Sequence, residues 1–381
     1  MKNYLMGATL ALMAMAPLTQ AQNKPEQAAK DSVSGKASLE LVFVIDTTGS
    51  MGGLIEGAKS KVWSIVNEVL KSPSHPKVKV GLVAYRDLGD SYVTKVEPLS
   101  SDLDKIYSTL MSYTAEGGGD TPENVRQALL DGVRKSGWSQ KSSTTAQIIF
   151  LVGDAPPHND YKNIPDCVTT AGEAVKKGII VNTIECGSDP EAKTAWQEIS
   201  RRGEGQFFAI EQNGGVVAIS TPYDAELSTL SGKIGSTYSA YGAKTFRGAK
   251  ASTQAANEGR FRDAAPASAQ AERALNKAIN SEAYDKDLVQ DVANGKVKLR
   301  DLKTDQLPDD LQKLSPEDRE KEVAKRIKDR KAITNKILEL SKKRDAFQMA
   351  ELKKRKGSNT GFDEVVRQSL KAQVAKKGIK M

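Results

Sequence analysis

The 381 residues suggest two domains, or one domain with extensions. The net charge of +8 is unevenly placed: residues 243–381 hold 33 Lys+Arg against 21 Asp+Glu, which leaves 23 against 27 for residues 1–242, so balances of +12 and −4 divide the chain into two electrostatic halves expected to do different jobs. No stretch of about 18 apolar residues follows the N-terminal segment, which argues against a membrane span in the mature protein.

The N-terminus reads as a secretory signal over residues 1–21. Lys2 gives the positive end, "YLMGATLALMAMA" a short apolar core, and Thr19-Gln20-Ala21 the small residues for cleavage before Gln22. Residues 22–38 are polar, lack apolar periodicity and read as a linker. From Leu39 the pattern alternates. Strands are expected at 39–46, 78–86, 91–97, 145–153, 179–186 and 205–211, and helices at 54–71, 102–113, 122–137, 166–177, 191–202 and about 215–240. Continuous apolar runs such as "IIFLV" suit strands buried on both faces. This is the grammar of an α/β fold with a doubly wound, mostly parallel sheet, and "SYVTKVE" (91–97) fits one antiparallel edge strand. The domain is expected over 39–242. A basic helical region is expected over 243–381, beginning with a loose Ala/Gly/Ser-rich connection ("GAKASTQAANEGRFRDAAPASAQ"). Ser315, Pro316, Glu317 and Asp318 read as the cap and first turn of a long amphipathic helix. Arg330 and Arg344 interrupt any regular heptad along it.

Open α/β sheets bind ligands at the carboxyl ends of their strands. The first strand ends there in "VFVIDTTGSM", which sets Asp46, Thr48 and Ser50 in a D-x-T-x-S spacing. One carboxylate and two hydroxyls form a hard, all-oxygen set that suits Mg²⁺ over Zn²⁺. Three ligands are too few for an octahedral ion. "GGGDTPEN" offers Asp120, Thr121 and Glu123, and "IIFLVGDAPPH" ends its strand on Asp154. Thr121-Pro122-Glu123 also reads as the cap and first turn of a helix, and His158 as a polar loop residue. Arg86 and Asp87 read equally as a local ion pair or as groups facing a ligand. A phosphate loop is the weaker reading, because the segment lacks G-x-x-x-x-G-K-[ST] and any lysine.

The three segments together resemble the motifs of the von Willebrand factor type A (vWA) domain and its metal-ion-dependent adhesion site. The integrin β-subunit version is similar in carrying D-S-P-E in the second motif and D-A-x-x-H in the third. The vWA domains attached to atypical protein kinases look closer still. The resemblance covers residues 39 to about 225. It implies Asp46, Thr48 and Ser50 as first-motif ligands, Asp154 as a ligand held through water, and Glu123 as the ligand of the second loop. Other members of the family use threonine in that loop, which keeps Thr121 and Asp120 open as alternates. "MGGL" after Ser50 lacks the acidic pair of the integrin β pattern, so one metal is expected: Mg²⁺, with Mn²⁺ or Ca²⁺ as substitutes.

Cys167 and Cys186 are the two cysteines. A helix start and the next strand end share the carboxyl face of a sheet, so a disulfide is expected, with two buried thiols as the alternative. The resemblance implies an exported, non-catalytic module that docks an Asp or Glu of a partner protein through the metal, in the periplasm or secreted. The alternatives are a metal-dependent phosphate-ester hydrolase at the same loops, or a scaffold whose basic tail contacts an anionic envelope surface. Neither His75 nor His158 lies in a catalytic motif, and export makes nucleic acid an improbable partner.

Overall fold

The structure, a computed structural model, describes residues 37–215, 219–280, 282–354 and 361–381. The expected signal segment 1–21 and the linker up to residue 36 lie outside the described residues. Six strands form one sheet: β1 (Ser38–Asp46), β2 (Lys77–Tyr85), β3 (Thr94–Ser100), β4 (Thr145–Gly153), β5 (Ile179–Cys186) and β6 (Glu204–Ile210). Their order is β3-β2-β1-β4-β5-β6. All neighbouring pairs are parallel except β2 with β3, the antiparallel edge. The sequence-based fold class holds, and each expected strand is present with ends shifted by at most three residues.

The register aligns the strand ends. Asp46 pairs with Tyr85, Ile45 with Val152, Gly153 with Glu185 and Cys186 with Ile210. One edge of the sheet therefore collects every loop that follows a parallel strand. The helices of the first half are α1 (Gly52–Leu70), α2 (Leu103–Met111), α3 (Val125–Arg134), α4 (Cys167–Lys177) and α5 (Pro190–Arg202). Alternation along β1 sends Leu39, Leu41, Phe43 and Ile45 into a core with α1 and α2, and Val42 and Val44 into a second core with α3, α4 and α5.

The second half is helical: α6 (Asp224–Gly235), α7 (Lys244–Ala264), α8 (Ala267–Ile279), α9 (Leu288–Ala293), α10 (Asp309–Gln312), α11 (Pro316–Lys354) and α12 (Phe362–Ala375). Residues Gly35–Met381 form one compact unit. Phe362, Val366, Leu370 and Val374 of α12 are fully buried in the same core as β1 and α1, with Phe362 at 6.0 Å from Phe43. Inside it, Gln373 and Ser369 satisfy the amide of Asn182 on β5. Helices α6, α8 and α11 share a further apolar cluster around Leu227, Ala274 and Ile337.

Three expectations are corrected. The Ala-rich stretch read as a loose connection is the 21-residue α7 and the start of α8. Alanine is the strongest helix former, and Phe261 and Ala265 anchor the segment in the sheet's core. The helix expected from 122 starts at Val125, because the Asn124 side chain caps it by accepting from the Gln127 amide. The disulfide is not formed: Cys167 and Cys186 are both free and buried. Cys186 shares the α1 face with Ile184, whereas Cys167 on α4 lies in the opposite core with Ala171 and Trp196. The sheet stands between them.

Candidate metal centre

The first strand delivers Asp46 to the sheet edge with no exposed surface. Its Oδ1 accepts from the backbone amide of Thr48 at 2.8 Å and from the Thr48 hydroxyl at 2.6 Å. The two-residue spacing thus closes on itself and leaves Oδ2 without a partner. Between them, Thr47 turns away to bond Tyr85 O and the Tyr92 hydroxyl. Ser50 follows in a short 3₁₀ turn and is exposed on the rim.

The loop between α2 and α3 lies against this turn. Glu116 N donates to Thr47 O and Gly49 N to Gly117 O. Gly118 has φ +81°, and a Cβ there would come within 3.3 Å of both Thr48 and the Glu123 carboxylate, so glycine is required for the close approach. Glu123 is 3% exposed and its Oε2 also lacks a partner. Its backbone is fixed to the loop after β4: Glu123 N donates to Pro156 O, and His158 N to Glu123 O. Asp154, half-buried, accepts from the Gln212 amide at 2.6 Å, and the same amide reaches Ser50 O at 3.4 Å. Gln212 was absent from the sequence-based site. The one signal for it is its position just after β6, on the same carboxyl edge.

These carboxylates repel one another. Burial, then the charge of Asp154, pushes Asp46 up to about 7 despite the Thr48 hydrogen bonds. Burial, then Asp46, Asp87, Asp90 and Asp154, pushes Glu123 up to about 9. Two buried carboxylates, each with one oxygen that lacks a hydrogen-bond partner and each opposed by neighbouring negative charge, form a cradle for a cation. The oxygen-rich donor set fits Mg²⁺.

The alternates in the second loop go elsewhere. Thr121 is exposed. The Asp120 carboxylate faces His158 Nε2 at 3.7 Å, and Asp87 Oδ2 lies 3.3 Å from the same nitrogen. Among the described residues, Asp87, Asp120 and His158 are the set of three acidic or imidazole side chains whose ligand atoms all lie within 4.8 Å. Arg86 does not pair with Asp87. It braces the site from behind, donating to Thr47 O, Ser91 Oγ and Thr114 O and lying 4.6 Å over the Tyr92 ring.

Residues 40–213 match the family model of the von Willebrand factor A domain. An ariadne-like RING finger protein of Acanthamoeba polyphaga mimivirus is 29% identical over 130 residues, which cover 33% of this chain and 12% of that protein. The von Willebrand factor A domain-containing protein 7 of Rattus norvegicus is 42% identical over 89 residues, 23% of this chain and 9% of its own length. The chain thus spans about a tenth of these relatives. Among solved structures, BatB from Bacteroides thetaiotaomicron aligns over 46% of this chain and 91% of its own, at 18% identity and a TM-score of 0.34. With a mostly parallel six-stranded sheet and three motif loops on its carboxyl edge, residues 40–213 of this chain are a von Willebrand factor A domain.

Proposed function

We propose that this domain binds one divalent cation, preferentially Mg²⁺, through Asp46, Thr48, Ser50, Glu123 and Asp154, and uses it to dock an Asp or Glu side chain of a partner protein. The observation that carries the reading is the pair of buried, unpartnered carboxylate oxygens, Asp46 Oδ2 and Glu123 Oε2. An unmatched buried charge is costly unless an opposite charge compensates it. Glu123 is preferred to Asp120 and Thr121 because its carboxylate shares the field of Asp46 and Asp154.

When bound, the ion supplies an open position for an anionic oxygen. The chain's own residues prepare that position. Thr48 occupies Asp46 Oδ1 and so fixes which oxygen is free. Gln212 holds Asp154 and ties it to the rim at Ser50. The vWA domain is a protein-interaction module, which supports binding over turnover. Export, to the periplasm or beyond, is part of the proposal and rests on the N-terminal signal pattern. No helix among the described residues is long and apolar enough to cross a membrane.

The test is capture from exported proteins by the purified chain, in Mg²⁺ and in EDTA, with Asp46→Ala alongside. A partner held in Mg²⁺ and released both by EDTA and by the substitution supports the reading. Equal capture in all three overturns it. Turnover of a phosphate ester by the purified protein, lost in Asp154→Ala, replaces it with a hydrolase.

A further inference from the structure

We infer that the outward face of α11 is a docking surface for an anionic phospholipid membrane, on which the helix lies flat and the chain is held reversibly. The inner face of this 39-residue helix is used by the fold. Val323, Ile337 and Leu340 are buried there in two apolar clusters of the helical layer. Arg326, Arg330 and Arg344 also turn inward, and they pair with Asp310, Asp287 and Asp224.

The outer face is a row of lysines. Lys328, Lys331, Leu338, Lys342, Met349 and Lys353 are all exposed. They follow one another at intervals of 3, 7, 4, 7 and 4 residues, which keeps them on one side of a helix. At about 1.5 Å per residue the row is about 38 Å long. Asn335 and Ala346, which fill its gaps, are exposed and uncharged. From Lys321 to Lys354 the exposed positions hold nine lysines against Asp329 and Glu339. Glu339 is already engaged by Lys343 at 2.7 Å, and Lys321, Lys336 and Lys354 also have carboxylate partners. Among the described residues, the four lysines of the row have none.

Charge alone fits any polyanion, and the apolar members of the row choose among them. Leu338 is 41% exposed and Met349 62%. They are two of the four large hydrophobic side chains that stand in solvent among the described residues. Each lies one turn before a lysine, Leu338 before Lys342 and Met349 before Lys353. A soluble polyanion gains nothing from these two side chains. A bilayer takes the ammonium groups at its phosphates and the apolar tips just beneath them. Each lysine close to an anionic bilayer strengthens binding by a factor of about 5, and salt screens the attraction beyond about 8–10 Å. None of these residues belongs to the candidate metal centre, so the surface stands or falls separately from it.

Cosedimentation of the purified chain with vesicles tests this, using phosphatidylcholine alone and phosphatidylcholine with about 30% phosphatidylglycerol. Expected are binding to the anionic vesicles at about 0.05 M salt, its loss at about 0.5 M, and none to the neutral ones. Lys331→Glu, Lys342→Glu and Lys353→Glu together weaken binding roughly 100-fold and leave the thermal melt unchanged. The same reversal of three charges at the exposed Lys162, Lys193 and Lys298, outside α11, keeps most of the binding. Leu338→Ser with Met349→Ser weakens vesicle binding roughly 10-fold and leaves binding to heparin unchanged. Absence of sedimentation with anionic vesicles overturns the surface. Equal losses in the two charge-reversed sets also overturn it, since net charge would then account for the binding. Full vesicle binding by the doubly serine-substituted chain overturns the membrane as occupant and makes the row a seat for a soluble polyanion.

Discussion

The helical layer and the carboxyl edge of the sheet both bury charge, and they handle it in opposite ways. In the helical layer most buried charges meet a counter-charge. Arg273, 1% exposed, donates to Asp104 at 2.9 Å and 2.5 Å and to Glu258 at 2.8 Å, and Lys277 reaches Glu258 at 2.6 Å. Arg344 joins Asp224 to Glu272, and Arg330 meets Asp287. Burial alone would raise Asp104, yet Arg273 holds it below the ordinary carboxylate range. At the sheet edge, Asp46 and Glu123 are equally buried, lack side-chain cations and are pushed upward. The first arrangement is complete in the chain itself and serves the fold. The second leaves Asp46 Oδ2 and Glu123 Oε2 buried and unpartnered, the deficit that the proposed cation would compensate.

Removing part of the complete region gives the largest expected effect. Deleting residues 361–381 strips α12 from the core. Phe362, Val366, Leu370 and Val374 are all fully buried, and at about 1.5–3 kcal/mol each their loss approaches the ~5–15 kcal/mol that holds a typical domain together. The expected product lacks cooperative thermal unfolding by circular dichroism. A truncated protein that melts like the full chain would mean that α12 is an ornament on the sheet.

The same substitution in the two regions then sharpens the contrast. Asp104→Asn leaves Arg273 buried and half-paired, and costs about 3–5 kcal/mol in urea unfolding. Asp46→Asn removes a charge that has no partner, so in EDTA at pH 8 the variant is at least as stable as the wild type. It also loses the stabilisation that Mg²⁺ gives the wild type, about 2.7 kcal/mol at a concentration 100 times Kd. Equal losses for the two variants would erase the distinction between a closed and an open charge network.

These contrasts were unequally legible in the sequence. The central strands were legible because each is a local apolar run bounded by turns, and Asp46, Thr48 and Ser50 because a strand end places close neighbours together. The pairing of Arg344 with Asp224 and Glu272 spans more than 70 residues, so the arginine read only as a break in the heptad. The match of α12 to the face of β1 is equally non-local. Asp87, Asp120 and His158 come from three loops with no shared pattern. Their convergence depends on the parallel register, and the histidine taken alone reads as an ordinary loop residue. The helix α7 was misread for a different reason: Ala, Gly and Ser together mark linkers by composition, while alanine alone marks helices.

The cysteines carry the smallest expected effect, and its size is what makes it informative. A bridge between Cys167 and Cys186 would enclose 18 residues and contribute about 3 kcal/mol. Strand parity rules against it: Cys186 points to the α1 face with Ile184, and Cys167 sits under α4 on the other side. Burial also pushes the Cys167 thiol up to about 12 and raises Cys186 further under the added charges of Asp154 and Asp46, so neither is a ready thiolate. Dithiothreitol should therefore leave the unfolding midpoint unchanged, and the denatured, unreduced protein should titrate two free thiols. A drop in the midpoint on reduction would put both cysteines on one face of the sheet, and with it would fall the placement of Cys186 on the α1 face.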